Sequence, residues 1–217
     1  MKTFFTRFLN LFFGTFLYAL GIVVSIMASI GYAPWEVFHV GLAHTVGLSI
    51  GAVTIIVGII ILIFVTACGE KIGVGAIFSL ILTGVFIDLL MAKDLIPKAE
   101  SFALGLVMLL TGLFIIALGS YFYMKSAFGV GPRDNLMVVM NRKTKLPIGL
   151  CRSIVELTVT LAGWVLGGMV GIGTLISVLG IGVFIQTVFT VFRFDPASVE
   201  HETITQTYRA ITKAYRK

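Results

Sequence analysis

Two short segments of the chain repeat one pattern of glycine, proline and acid that could help to bind a ligand. In each, a proline follows a glycine by three residues and an acid follows the proline by two. The segments are Gly31-Tyr32-Ala33-Pro34-Trp35-Glu36 and Gly129-Val130-Gly131-Pro132-Arg133-Asp134. Proline suits the first position of a helix, and an acid in the first turn complements the positive end of the helix dipole. The pattern therefore predicts that a short helix begins at each proline.

The length of these predicted helices, 35–46 and 133–143, limits what they can do. About a dozen residues rise about 18 Å, which is too short to cross the hydrocarbon core of a bilayer. Each helix is then either an interfacial connector, whose acid only caps the helix, or a re-entrant half-helix whose free N–H groups point at a ligand. On the second alternative, the candidate substrate- or ion-binding residues are Gly31, Pro34, Trp35, Glu36, His39, Gly129, Gly131, Pro132, Arg133, Asp134 and Asn135.

A further pair of charged residues, Arg152 and Glu156, lies inside an apolar stretch. A spacing of four puts both on one helix face, and charged groups inside a membrane usually face the interior of the bundle. The pair either neutralises itself as a structural feature or offers a site for an ionic substrate, so both residues join the candidates. His39 and His44 are five residues apart with no third ligand nearby, which predicts no metal site. No cofactor is predicted.

The composition indicates the class of protein in which these segments lie. Of 217 residues, 58% are hydrophobic and only 12% are charged, whereas soluble domains average about 45–50% and about 25%. So few polar groups cannot cover a water-facing surface, which excludes a soluble enzyme, a nucleic-acid-binding module and a disordered chain. The sequence also has no Ser/His/Asp set and no clustered metal ligands, so we predict no enzymatic activity. The chain is predicted to be an integral membrane protein.

Runs of about 20 apolar residues predict membrane-spanning helices. Six such runs lie near residues 9–30, 50–68, 73–91, 102–124, 148–166 and 172–193. With a cytoplasmic N-terminus, fourteen of the sixteen Lys and Arg residues fall on the cytoplasmic side, as the positive-inside rule requires. Both termini are then cytoplasmic. The basic tail has apolar residues at helical spacing, and it predicts an amphipathic helix lying on anionic lipid.

The two halves of the chain are related by an internal repeat. A shift of 98 residues aligns 14–88 with 112–186 without a gap, and 21 of the 75 positions are identical, eight of them glycine on glycine. Each repeat holds three spans, an odd number, so the two repeats must insert in opposite orientations, as in many secondary transporters. The charges agree with this, because the loop at 31–49 has no Lys or Arg and its counterpart at 125–147 has five. We therefore expect an inverted repeat.

The same segments resemble the signatures of a known family. The string Gly-x-x-Pro-Trp-Glu-Val-Phe-His begins at residue 31, Gly47-Leu48-Ser49-Ile50-Gly51 follows it, and Gly-Val-Gly-Pro-Arg-Asp begins at residue 129. These strings resemble the YczE/YyaS/YitT family of bacterial integral membrane proteins, over both halves and nearly the whole chain except the tail. The resemblance implies a multi-pass protein of the bacterial cytoplasmic (inner) membrane, and it implies no particular substrate.

The sequence thus predicts an all-α membrane protein in three parts. These are a three-span repeat at 1–98, an inverted three-span repeat at 99–194, each with its proline-broken half-helix, and a cytoplasmic tail helix at 195–217. Such an inverted repeat favours a secondary transporter of a small molecule or ion, with its site between the half-helices. The alternative is a non-transporting membrane accessory or assembly protein. The expected partners are the lipid bilayer and an unidentified substrate, with no nucleic acid; homo-oligomer formation is left open.

Overall fold

The computed structural model describes residues 2–70, 72–129, 131–146 and 148–194, and every regular element within these ranges is an α-helix. The side chains of residues 2–4, 134, 138, 148, 149 and 152 lie outside the description, as does the tail at 195–217, for which the sequence predicts a helix. The helices are α1 (Lys2–Met27), α2 (Pro34–Val46), α3 (Ile50–Ala67), α4 (Val74–Ala92), α5 (Phe102–Lys125), α6 (Pro132–Thr144), α7 (Ile148–Val165) and α8 (Ile172–Val191).

Among the described residues, five helices are long and apolar enough to cross a membrane: α1, α3, α4, α5 and α8. In α7, the stretch Ser153–Val165 forms a shorter apolar helix. Many large apolar side chains point away from the bundle, such as Ile63, which is 65% exposed, and Leu179, which is 69% exposed. Such a surface suits lipid rather than water. The chain is therefore an all-α, multi-pass membrane protein, as its composition predicts.

The short helices α2 and α6 follow the first long helix of each half. Each has 13 residues and begins with a proline, as the sequence predicts. The residue before each proline, Ala33 or Gly131, is extended, which is the conformation that a following proline favours. Each helix ends at a residue in the left-handed conformation, Gly47 or Lys145. At about 1.5 Å per residue, neither helix is long enough to cross a hydrocarbon core.

Helices α1 and α5 cross in the core of the bundle, with glycines at the contact. A Cβ added to Gly14 would lie 2.9 Å from the Gly119 carbonyl oxygen, and one added to Gly21 would lie 2.7 Å from that of Gly112. The contacts are reciprocal, because a Cβ on Gly119 or Gly112 would lie 2.8 Å from the Gly14 or Gly21 oxygen. Only residues without a side chain let two helix backbones approach so closely. Since Gly14 meets Gly119 and Gly21 meets Gly112, the two helices run antiparallel.

The stretch between α1 and α2 and the stretch between α5 and α6, here called the two breaks, are each hydrogen-bonded to the opposite half of the chain. The first break opens at Gly31, whose φ angle of 119° is one that residues with a side chain rarely adopt. The Gly173 N–H donates to the Ile30 carbonyl, and the Gly75 N–H donates to the Phe128 carbonyl, both at 2.8 Å. Under the 98-residue shift each bond is the counterpart of the other. Together they join α8 to the first break and α4 to the second.

Candidate functional site

A cavity of about 360 Å³ lies between the helices, and residues from all eight helices line it. Its volume falls within the range of small-molecule sites. The charged side chains that line it are Arg133 and Glu156, and the uncharged polar ones are Thr15, Tyr18, Thr54, Ser79, Thr83, Ser120 and Tyr123. Apolar side chains of α5 and α8, such as Ile116 and Ile181, form much of the remaining wall. Apolar walls with a few convergent polar groups are typical of ligand sites.

The N-terminal ends of the two short helices meet at this cavity. Trp35 and Arg133 occupy equivalent positions, one residue after the proline of each helix, and both line the cavity. The Cζ atom of Arg133 lies 4.7 Å from the centroid of the Trp35 ring, which is a cation–π contact. Helix α2 is buried over most of its length, so it lies inside the bundle and not on its surface. The first turns of α2 and α6 thus face each other across the two halves of the chain.

Glu36 is a buried acid in the first turn of α2, where α2 faces α6. Its side chain is 6% exposed, and its Oε1 lies 3.6 Å from Nη2 of Arg133. Burial raises the pKa of the Glu36 carboxyl above its ordinary value, while the Arg133 guanidinium opposes the shift and the Glu156 carboxylate adds to it. Glu36 belongs to α2, which is not one of the spanning helices. The sequence leaves open whether burial or the favourable charges would dominate, and in the folded chain burial dominates.

His39 lies one turn further along α2 and is 4% exposed. Its Nδ1 is 3.2 Å from Oγ1 of Thr54, and its ring centroid lies 6.0 Å from that of Trp35. Burial, with a contribution from Arg133, lowers the pKa of the His39 imidazole well below its ordinary value, so the ring is neutral. Thr54 lines the cavity whereas His39 does not. His39 therefore supports the cavity wall from behind Thr54.

The serine and threonine side chains of the cavity are a feature that the sequence argument missed. Thr15, Thr54, Ser79 and Ser120 each donate to a carbonyl three or four residues back in their own helix, at 2.8–3.1 Å. Thr83 differs, because it is 8% exposed and no described residue provides it with a hydrogen-bond partner. The usable signal in the sequence is the spacing of Ser79 and Thr83, which are one helical turn apart in a helix that is apolar apart from these two residues and Asp88.

The predicted candidates are only partly brought together. Gly131, Pro132 and Glu156 line the cavity with Trp35 and Arg133. Pro34 begins α2, and Asn135 is 7% exposed; neither is among the residues that line the cavity. The predicted set therefore contains five residues of the cavity wall and one buried acid, Glu36, that contacts the wall through Arg133.

Gly31 and Gly129 have a packing role instead. A Cβ on Gly31 would lie 2.8 Å from the backbone nitrogen of Gly171, and one on Gly129 would lie 2.7 Å from the Cα of Gly73. These glycines let each break press against the first residues of α8 or α4. They shape the site from a distance and do not line it.

Two of the predicted residues have side chains outside the description, namely Asp134 and Arg152. The predicted equivalence of Glu36 and Asp134 and the predicted pairing of Arg152 with Glu156 therefore stay predictions. Across the described part of the chain, no group of three His, Cys, Asp or Glu side chains is placed to hold a metal ion.

Comparison with known proteins gives the family. Residues 5–190 match DUF6198, described as a family of unknown function. The chain belongs to the DUF6198 family. It is 31% identical over 179 residues to the membrane protein YczE of Bacillus subtilis, covering 81% of each chain. It is 29% identical over 175 residues to YyaS of the same organism, covering 76% of this chain and 83% of YyaS. A Haemophilus influenzae protein is 28% identical over 176 residues, which cover 81% of this chain and 80% of that one.

The DUF6198 match and the similarity to YczE and YyaS confirm the family that the two proline segments predict. All three relatives are described as uncharacterised, and YczE as a membrane protein. No solved structure matches the chain significantly. The region shared with DUF6198 contains both short helices and every residue that lines the cavity. The cavity is thus built from the part of the chain that defines the family.

Proposed function

We propose that this DUF6198 protein is a secondary transporter of a small molecule, with its substrate site in the cavity where α2 and α6 meet. The observation that carries the proposal is the convergence of two broken-helix N-termini, through Trp35 and Arg133, on one cavity of small-molecule size. Secondary transporters commonly bind substrates near the bilayer midplane, at discontinuous helices whose positive ends face the ligand. We therefore infer that the cavity lies near the midplane of the bilayer.

The proposal includes an inverted repeat of three spans in each half, with α7 as the sixth span. It is supported by contacts that exchange under the 98-residue shift: the glycine pairs of α1 and α5, and the hydrogen bonds from Gly75 and Gly173 to the two breaks. Helices that meet their own counterparts in antiparallel orientation are expected around a two-fold axis in the membrane plane. Rocking of one half against the other would then open the cavity to each side in turn.

A membrane accessory or assembly protein is the competing function. In such a protein, the charged residues of the short helices would face lipid headgroups or a partner surface. Here Glu36 is 6% exposed on its side chain, and the partly buried Arg133 and Glu156 line the cavity. Charged groups are costly to bury in a membrane protein and usually mark a substrate or ion pathway. Their position therefore favours a transporter.

The proposal is tested with the purified chain in sealed proteoliposomes. We expect uptake of at least one small metabolite or ion from a radiolabelled panel, above that of protein-free vesicles, and saturable with concentration. A thermal-shift screen on the same preparation selects the panel, because a ligand that binds the folded state raises its stability. If compounds bind but none crosses the bilayer under any ion gradient, the transporter proposal is wrong and the accessory function is favoured.

The inverted topology makes a separate prediction for the loop at 92–101, which joins the two halves. With both termini in the cytoplasm and three spans on either side, this loop lies outside the cell. A single cysteine at Lys98, in a background with Cys68 and Cys151 replaced by alanine, is expected to react with a membrane-impermeant maleimide in intact cells. A cysteine at Lys143, which is exposed in the last turn of α6, is expected to react only after permeabilisation. The opposite labelling pattern would contradict the topology.

A further inference from the structure

The polar residues of the cavity wall form two groups of different hydrogen-bonding character, one on α1, α3, α4 and α5 and the other at the start of α6. On α1, α3, α4 and α5, the hydroxyl hydrogens of four lining side chains are already donated to helix carbonyls. A hydroxyl has one hydrogen and two lone pairs, so what these groups still offer a ligand is acceptor oxygen. Glu156 adds a carboxyl group to the same cavity. This part of the wall therefore favours a ligand rich in N–H donors.

Thr83 provides an independent observation of the same kind. It lines the cavity, only 8% of its surface is exposed, and the described residues offer its hydroxyl no hydrogen-bond partner. Buried polar groups are almost always hydrogen-bonded. A hydroxyl in this position, to which the described residues offer no partner, can bond to a ligand or to water.

The wall formed by α6 has the opposite character. Gly131 precedes the helix and has no side chain with which to cap it, and the first N–H groups of a helix have no partner within the helix itself. Gly131, Pro132 and Arg133 all line the cavity. The Arg133 guanidinium has five N–H donors, and its ion pair with Glu36 is long at 3.6 Å. A carboxylate suits this group of donors, because guanidinium and carboxylate groups can pair through two parallel hydrogen bonds.

The remaining wall is apolar. Ile181, Ile185 and Phe189 follow one another at intervals of four residues on α8 and line the cavity together. A helix presents residues at this spacing on one face. The stripe is suited to a hydrocarbon or aromatic side chain.

We propose that the cavity binds a small zwitterion with an apolar side chain, of the amino-acid class, with its carboxylate at Arg133 and the N-terminus of α6, and its ammonium at Glu156 and the hydroxyl oxygens that include Thr83. This rests on the proposed function, which makes the cavity the substrate site. A zwitterion carries no net charge into the bundle, so it adds no uncompensated charge to a low-dielectric site. Its two ends match the donor and acceptor parts of the wall, and its side chain covers the stripe on α8.

The test uses three compounds of one shape with the full chain in detergent. L-leucine has both charges, 4-methylpentanoate lacks the ammonium, and 3-methylbutylamine lacks the carboxylate. We expect L-leucine, or L-methionine or L-phenylalanine with their matched analogues, to raise the thermal unfolding midpoint in a saturable manner. Each analogue is expected to bind at least tenfold more weakly, because it loses a charge-assisted hydrogen-bonding end. Equal binding of either analogue, or binding of no zwitterion, overturns the proposal.

A pair of threonine variants locates the site. Thr83→Val keeps the shape of the side chain and removes the hydroxyl, and we expect it to weaken zwitterion binding about tenfold. Thr187→Val is the matched control, because Thr187 lies on the exposed face of α8 and also belongs to an apolar helix. Equal effects of the two variants would show that Thr83 has no part in binding, and would overturn its assigned role. Uptake in proteoliposomes separates the two proposals: zwitterion binding without uptake refutes only the transporter, and uptake of a different chemical class refutes only the zwitterion.

Discussion

Replacing Glu36 with glutamine is expected to reduce uptake to the level of protein-free vesicles while the protein still folds and inserts. Glu36 is the buried acid through which α2 contacts Arg133 of α6, so it is an ionic link between the first turns of the two short helices. In the proposed rocking of the two halves, this link would form in one state and weaken in the other. A carboxyl whose pKa is raised by burial can gain and lose a proton during such a cycle, which suits proton or cation coupling. Glutamine keeps the volume of the side chain, but it neither forms the ionic link nor gains and loses a proton.

The matched control for this variant is Glu70→Gln. Glu70 also pairs with an arginine, since its Oε1 lies 2.8 Å from Nη1 of Arg142, but it does not line the cavity. Uptake is measured at equal protein density, with the thermal unfolding midpoint as the test of folding. We expect Glu70→Gln to keep most of the uptake and Glu36→Gln to keep none.

The sequence repeat extends the expectation to Asp134→Asn, because Asp134 is the counterpart of Glu36 in the second half. If Glu36→Gln and Asp134→Asn both retain full uptake of the identified substrate, these acids only cap their helices. The binding site would then depend on Arg152 and Glu156.

Gly21→Val is expected to destabilise the protein by about 3 kcal/mol, at the upper end of overpacking effects. A Cβ at this position would lie 2.7 Å from the Gly112 carbonyl oxygen and 2.7 Å from the Ile116 backbone nitrogen. Both atoms belong to the backbone of α5 and cannot rotate away, so α1 and α5 must separate. Separation loses contacts across the largest buried core, which α1 and α5 share. The measurement is denaturant or thermal unfolding in a fixed detergent.

Gly182→Val provides the control, because Gly182 is also within a membrane helix and a Cβ there would meet nothing within 4 Å. It introduces the same β-branched side chain with the same loss of helical flexibility, without a clash. We expect its unfolding midpoint to stay close to that of the unaltered chain. Equal destabilisation by the two variants would mean that α1 and α5 are not tightly packed at their glycine contacts.

The sequence predicted the short helices closely because their ends are encoded locally. Proline fixes the first position of each helix. The predicted ranges 35–46 and 133–143 differ from Pro34–Val46 and Pro132–Thr144 by one residue at three of the four ends, and they agree at the fourth. The runs predicted for α3, α4, α5 and α8 agree with these helices to within two residues at each end, since the length of an apolar run is set by the bilayer. Helix α1 differs more, because it begins at Lys2 and ends at Met27 whereas the predicted run lies near 9–30.

The residues that line the cavity were harder to predict from the sequence, because the rotation of each helix about its own axis decides which of its faces points into the cavity. Thr83 and Thr187 both lie in apolar helices, yet one lines the cavity and the other is exposed. A threonine in such a helix can bond its own backbone wherever it points, so the sequence does not distinguish the two. The contact between Trp35 and Arg133 was also not predicted, because it requires equivalent residues of the two repeats to meet each other.

The exchanged contacts have a consequence for the origin of the fold. Gly14 meets the counterpart of Gly21, Gly21 meets the counterpart of Gly14, and each break is bonded by the other half. A polypeptide of half this length, paired with an upside-down copy of itself, would therefore make every one of these contacts twice. Duplication and fusion of its gene would fix the two orientations in one chain and free equivalent positions to diverge. Tryptophan at 35 and arginine at 133, which lie against each other, are such a pair. In a symmetric dimer of half-length chains one residue type would lie against itself at this place, whereas a fused chain can place an aromatic ring against a cation.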